Sequence, residues 1–340
     1  MKKRYLIATL LCAVIFSLAL LLFSKLTAPK YANSSREGNL IAEYYREADE
    51  NNTHEVIFVG DCEVYSAFVP ALIYEEYGIR SFVRGSPSQT IAQSYYLILE
   101  TLKYETPDAI VLSVYALSKS EPQKEAYNRM TLDGMRLSAE KIGAVYDSVG
   151  DGESVLSYFI PLLRFHSRIY ELKVEDVEYL FSRPRVSHNG YFMQKGVVAP
   201  EGSYYGSESA EQKLPQENLV YLQRIFDACL ESGVELILVK SPISSWRYPW
   251  YDGWDSEIES FAGQNGIEYY NLIKYCDEIG IDLSRDSYDG GFHLNVYGAE
   301  KTSRFFSAIL SGRHGITGKR QEKWSEKLGE YYKERNNEEN

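Results

Sequence analysis

Residues 55–62 read Glu-Val-Ile-Phe-Val-Gly-Asp-Cys, a short run of β-branched and aromatic side chains closed by a glycine, an acid and a thiol. The run is too short for a core helix and has the make-up of a strand buried on both faces. Similar runs follow at 79–85, 108–114, 234–240 and 267–270. Helical patterns separate the first three, including 91–102 after the start signal Ser88-Gln89. Strands alternating with helices imply a parallel sheet covered on both sides, a three-layer α/β/α sandwich. The third and fourth runs stand about 120 residues apart, too far for one crossover. Residues 118–215 are therefore expected to form a helical insertion capping one end of the sheet, with helical segments at 137–149, 155–163 and 174–181 and a Gly/Ser/Tyr-rich loop at 199–209.

The 340 residues are 44% hydrophobic and 14% aromatic, enough for a well-filled core and too apolar for wholesale disorder. The formal net charge is −12, and the first thirty residues hold five basic side chains and no acid. The rest therefore carries 31 basic against 48 acidic groups, a net of −17. A body that acidic repels a phosphate backbone, so nucleic acid is excluded as a partner. Tyrosine is frequent, at 29 copies, and a flat apolar face with a hydroxyl edge suits packing near water and suits sugars.

Residues 5–23 run YLIATLLCAVIFSLALLLF without a charge. As a helix they span about 28 Å, close to the hydrocarbon thickness of a bilayer. Lys2, Lys3 and Arg4 precede them, which predicts a single-pass anchor with a cytoplasmic N-terminus and an extracellular body. A cleaved signal peptide is the competing reading, but Leu26-Thr27-Ala28 followed by Pro29 is a poor cleavage context. The expected layout is a tip and anchor at 1–30, then a polar tether at 31–53 with one short amphipathic helix around Leu40, Ile41, Tyr44 and Tyr45. The α/β domain follows at 54–315. A charged tail at 316–340 carries Trp324, Leu328 and Tyr331 on one stripe of a docking helix. Outside the anchor the cysteines are Cys62, Cys229 and Cys276, and Cys229 lies in an apolar helical pattern that points to packing. No Cys or His cluster has metal-ligand spacing, so neither a metal nor a cofactor is expected.

In an open parallel sheet the functional groups gather where the strands end. Those positions are Gly60-Asp61-Cys62-Glu63, Arg84-Gly85-Ser86, Tyr115-Ala116-Leu117, Lys240-Ser241-Pro242 and, further on, the segment from Asp286 to Asn295. Gly60-Asp61-Cys62 at the end of Val56-Ile57-Phe58-Val59 resembles the first block of the SGNH/GDSL hydrolase superfamily, where a strand ends in Gly-Asp-Ser and the serine is the nucleophile. Asp289 to His293, followed by Leu294-Asn295 and Gly298-Ala299-Glu300-Lys301, is similar to that superfamily's last block. Membrane-anchored relatives with this layout resemble the DltD-type proteins and the acyltransferases of surface polysaccharides. The resemblance covers about 55–115 and 234–311 and implies the flavodoxin-like strand order. It also implies a Cys62–His293–Asp289 triad, with the Cys62 and Gly85 amides as oxyanion donors. Three departures stand out: Cys62 replaces serine, Gly290 holds the acid's usual place, and Ser113-Val114-Tyr115 lacks the asparagine that completes the oxyanion hole.

A thiol where a strand turns into a helix sits at a helix N-terminus, which favours the thiolate. Asp289 is favoured as the acid over Asp286, because Gly290 and Gly291 let the loop bring a residue four positions away into place. Asp61 is expected to brace the turn, and Ser66, one helical turn on, to point away. Trp246, Trp250 and Trp254 fall within nine residues after the fourth strand and are candidates for binding a sugar or acyl chain. Arg164, His166 and Arg168 form a basic knot, read as neutralising nearby carboxylates. Together these features imply an extracytoplasmic acyl hydrolase or acyltransferase acting on a cell-surface glycan, with a membrane-bound O-acyltransferase as partner. The alternative is a catalytically silent binding or assembly subunit of the same pathway.

Overall fold

The computed structural model describes residues 2–29, 40–50, 52–119, 123–182, 185–201, 213–243 and 250–337. Five strands, β1 (Val56–Gly60), β2 (Ser81–Gly85), β3 (Ala109–Ser113), β4 (Glu235–Lys240) and β5 (Glu268–Asn271), form one sheet in the order β2-β1-β3-β4-β5. Every pairing is parallel, with Val56 opposite both Ser81 and Ala109. This is the expected doubly wound, flavodoxin-like order.

The period of two along each strand divides the core. Ile57, Val59, Ile110, Leu112, Leu236 and Leu238 pack with Ile98, Leu222, Ile225 and Ile258, which come from helices Ile91–Tyr104, Gln216–Glu231 and Asp252–Asn265. Val56, Phe58, Val111, Ile237 and Val239 face Val64, Phe68, Phe306 and Leu310 on the other side, where Cys62–Ala67 and Val296–Gly312 lie. The rings of Phe58 and Phe68 stack 4.5 Å apart. The C-terminal helix Glu322–Arg335 docks on Pro70–Tyr77 and buries Trp324 and Tyr331.

Three local readings change. Residues 40–49 form a helix belonging to the folded body rather than to a tether: Leu40, Ile41, Tyr44 and Tyr45 are buried. Leu40 and Ile41 join core clusters, and the tyrosines cover Arg84, a fully buried cation on β2. Its guanidinium lies 4.1 Å from the Tyr44 ring centroid, donates to Glu100 at 2.6 Å, and needs this aromatic cover to leave water. The insertion, in turn, extends a face as well as an end. Its helix Ala139–Ser148 packs on Ile91–Tyr104, and Asn189 accepts a 2.9 Å hydrogen bond from the amide of edge residue Val83. The expected helix at 155–163 is a 3₁₀ turn at Val155–Tyr158 followed by a short helix at Leu162–Phe165.

Candidate active site

β1 ends at Gly60, where a Cβ would meet that of Ser113 at 2.6 Å, so only glycine lets β1 and β3 approach this closely beside the turn. Asp61 then caps the helix Cys62–Ala67, its carboxylate accepting from the Glu63 amide at 3.2 Å. Cys62 is the first residue of that helix and is partly exposed. Ser66 is spent within the helix, its hydroxyl donating to the Cys62 carbonyl at 2.6 Å.

On the far side of the cleft the chain doubles back through Gly290 and Gly291, with φ of 82° and 92°, an excursion that side-chain-bearing residues resist. The turn brings the Asp289 carboxylate onto His293 twice. Oδ1 accepts from the His293 amide at 2.9 Å and Oδ2 meets Nδ1 at 2.5 Å. Ser287 steadies the loop by accepting from the Gly291 amide at 2.7 Å, and the Tyr288 ring stacks on His293. The insertion reaches the same loop, since the Val198 amide donates to the Ser287 carbonyl and the Gly290 amide to Val198. Asp286 is engaged elsewhere: its carboxylate accepts from Lys301 at 2.6 Å and from the Asp282 amide.

Cys62 and His293 lie within side-chain hydrogen-bond reach of each other in the wall of a cleft of about 190 Å³, lined also by Glu63, Ser88, Tyr115, Lys119, Ile243 and Phe292. Burial pulls the His293 pKa down, but the Cys62 sulfur and then Asp289 outweigh it and hold it well above its usual value. Such a group contributes stability that is full below its unfolded pKa, near 6.5, and is lost as pH rises through the higher folded value. Replacing Cys62 by Ala removes the first of those raising influences. The His293 ring is then expected to titrate at a lower pH, read by NMR of nitrogen-labelled imidazole. An unchanged titration would mean that the sulfur and the ring do not communicate.

Two ion pairs brace the turn that carries Cys62, and the sequence reading misses them. Lys119 Nζ donates to Asp61 at 2.9 Å. Burial lowers the Lys119 pKa, but Asp61 and then Cys62 carry it upward. Beneath them Lys240 Nζ donates to Glu63 at 2.6 Å, both side chains buried. Lys240 sits 5.1 Å from the ring centroids of both Tyr115 and Trp250. Glu63 and Lys240 were visible as charges flanking strand ends, but nothing in one dimension pairs residues 177 positions apart.

Trp250 and Trp254 do not line the cleft. Both are buried in the core, with ring centroids 5.6 Å apart: Trp250 lies over Lys240, and the two rings pack where the helix Asp252–Asn265 meets the sheet. Trp246 lies outside the described residues. Gly85 is buried at the end of β2, opposite Gly60, and Ser88 rather than Gly85 reaches the cleft wall. Arg164 and Arg168 do pair with carboxylates, of Glu125 and Asp176.

Fold and site together define a three-layer α/β protein that assembles Cys62, His293 and Asp289 at the carboxyl end of its sheet, where the strand order reverses between β1 and β3. No family model and no curated protein matches the chain. Among solved structures it is similar to a GDSL-like lipase from Bacteroides thetaiotaomicron, with a TM-score of 0.39 and 12% identity, covering 80% of this chain and 99% of that one. It is similar also to a proposed acylhydrolase from Bacteroides fragilis, with a TM-score of 0.38 and 10% identity, covering 80% of this chain and 97% of that one. At that level of similarity the chemistry has to be read from this chain's own side chains.

Proposed function

We propose that the protein is an acyl-transfer enzyme working through a thioester on Cys62. The reading rests on one observation: His293 stands between Cys62 and a carboxylate that grips it at both the backbone and Nδ1. In the forward step the Cys62 sulfur attacks an ester carbonyl and a carbon–sulfur bond forms. The carbon–oxygen bond breaks, and the leaving alkoxide takes the proton held by His293. Water or a second hydroxyl, deprotonated by His293, then attacks the thioester and releases the thiolate. The Cys62 amide, at a helix start, suits the oxyanion; Gly85, the second donor that the superfamily resemblance implies, is not part of the cleft wall, where Ser88 stands instead. The apolar helix Lys2–Thr27 supports a membrane anchor, and with the basic residues of its first turn an extracellular body. The substrate class that fits is an acylated cell-surface glycan, and a membrane-bound O-acyltransferase is the fitting donor partner, as in the DltD-type proteins.

A short activated ester or a fluorophosphonate-type probe offered to the full chain tests this. Labelling at Cys62 that vanishes in Cys62→Ala is the expected result. A folded protein that stays unlabelled across the pH range would instead be the silent assembly subunit.

A further inference from the structure

The end of the apolar helix is built into the insertion. Ser24 and Thr27 are buried, whereas most of the helix before them is exposed. The helix end touches Leu162–Phe165, the turn His166–Tyr170 and the helix Val174–Glu178. Arg168 fastens the joint, donating to the Thr27 and Ala28 carbonyls at 2.9 and 2.6 Å while Asp176 holds its other nitrogen at 3.2 Å. These are the carbonyls a helix leaves unsatisfied at its C-terminus.

The same short stretch presents large apolar side chains to the outside. Leu163, Ile169, Val174 and Val177 are exposed, Tyr170 is 93% exposed and Phe181 86%. A water-facing surface built this way, contiguous with a helix of bilayer-spanning length, has the character of an interfacial segment. Its aromatic residues suit the headgroup level, where Tyr is enriched. Residues 162–181 carry three basic and four acidic side chains, so the patch has no net positive charge with which to seek an anionic surface. Its attraction would be apolar.

We infer that residues 162–181 lie in the outer interface of the same bilayer that holds the Lys2–Thr27 helix, as an in-plane second contact that fixes the orientation of the domain. The inference rests on the reading of that helix as an anchor. A rigid joint at Arg168 together with a seated patch holds the domain in one pose over the membrane. A single helix on a flexible link would leave it free to tumble.

The test uses the full chain reconstituted in phosphatidylcholine vesicles with bromine placed at shallow depth in the acyl chains. Tyr170→Trp and Phe181→Trp add a reporter at each exposed position, read as the difference from the parent protein. The expected result is that bromolipid removes most of the added emission, aqueous acrylamide removes little, and high salt changes neither. Added emission that acrylamide quenches and bromolipid does not would overturn the inference, placing the patch in water. Emission that neither agent reaches would overturn it as well, because protein rather than lipid then covers the patch. Alkaline carbonate washing of the parent vesicles reads the anchor separately. Protein released by the wash removes the anchor reading and this inference with it. Protein retained by the wash, with reporters in water, overturns only the patch.

Discussion

Asp289→Asn is expected to lower any Cys62-dependent turnover by a factor of about a hundred to ten thousand while leaving the protein folded. The magnitude follows from catalytic chains in which the same exchange fixes the wrong imidazole tautomer. Here the carboxylate grips His293 at the backbone amide and at Nδ1, which turns the other ring nitrogen toward the cleft. An amide in its place offers Nδ1 a donor as readily as an acceptor, so the orientation of the ring and the identity of its proton are both lost. Asp289 is partly exposed and accepts from neighbouring groups that water can replace, which keeps the structural cost small. Asp286→Asn is the matched control. That carboxylate serves Lys301 and the Asp282 amide, so the effect on turnover should be slight. Steady-state kinetics of both variants on one activated ester, beside thermal unfolding, separates the cases. Equal small losses in the two would show that His293 works without an acid partner.

The largest expected change in stability comes from Lys240→Met. It strands the Glu63 carboxylate beneath the turn that carries Cys62, next to Asp61 and with one oxygen already lacking a hydrogen-bond partner. Removing one member of a buried pair typically costs about 3–5 kcal/mol, since the remaining charge keeps its burial and loses its partner. Burial already raises the Glu63 pKa and Lys240 is the chief influence pulling it back, so without that lysine it rises further. A carboxyl whose folded pKa exceeds its unfolded value penalises the folded state above the unfolded value, and the penalty disappears as pH falls and the group protonates. The deficit in Lys240→Met should therefore be largest at neutral and alkaline pH and shrink toward pH 5. Adding Glu63→Gln should restore much of the loss, because it removes the unpaired charge. Denaturant unfolding of both variants at two pH values checks the sign. A deficit that does not change with pH would mean that Glu63 is already uncharged in the folded protein.

Three of the five strands, β1, β3 and β4, were legible as self-contained signals, because residues buried on both faces read as a nearly unbroken apolar run. β2, which carries Arg84, and β5, half exposed with the sequence Glu-Tyr-Tyr-Asn, were legible from the turn residues at their ends and the alternation with helices. The Cys62, His293 and Asp289 positions were picked out by the resemblance to the SGNH/GDSL blocks, and their convergence at one end of the sheet was legible for a related reason. A parallel sheet delivers all its strand ends to one side, so residues far apart in the chain converge without any pairwise information. Gly290-Gly291 announced a tight return, and a tight return is what lets Asp289 reach back over four residues to the ring.

Burial of polar groups was legible nowhere. Arg84, Glu63 and Lys240 look like surface charges in one dimension, and each is buried against a partner from another element; the partly exposed Lys119 likewise meets Asp61. The same blindness turned the helix at 40–49 into part of a tether, since its tyrosines matter through distant partners, covering Arg84 and donating to Glu105 and Glu100. It also made Trp250 and Trp254 look like a binding surface, when the space they fill lies between the sheet and a helix. Local pattern specifies which segments are strands or helices and which face of each is apolar, because those properties depend on neighbours in the chain. Which charge finds which partner depends on distances that exist only after the sheet has closed, and that pairing decides the shape of the cleft around Cys62.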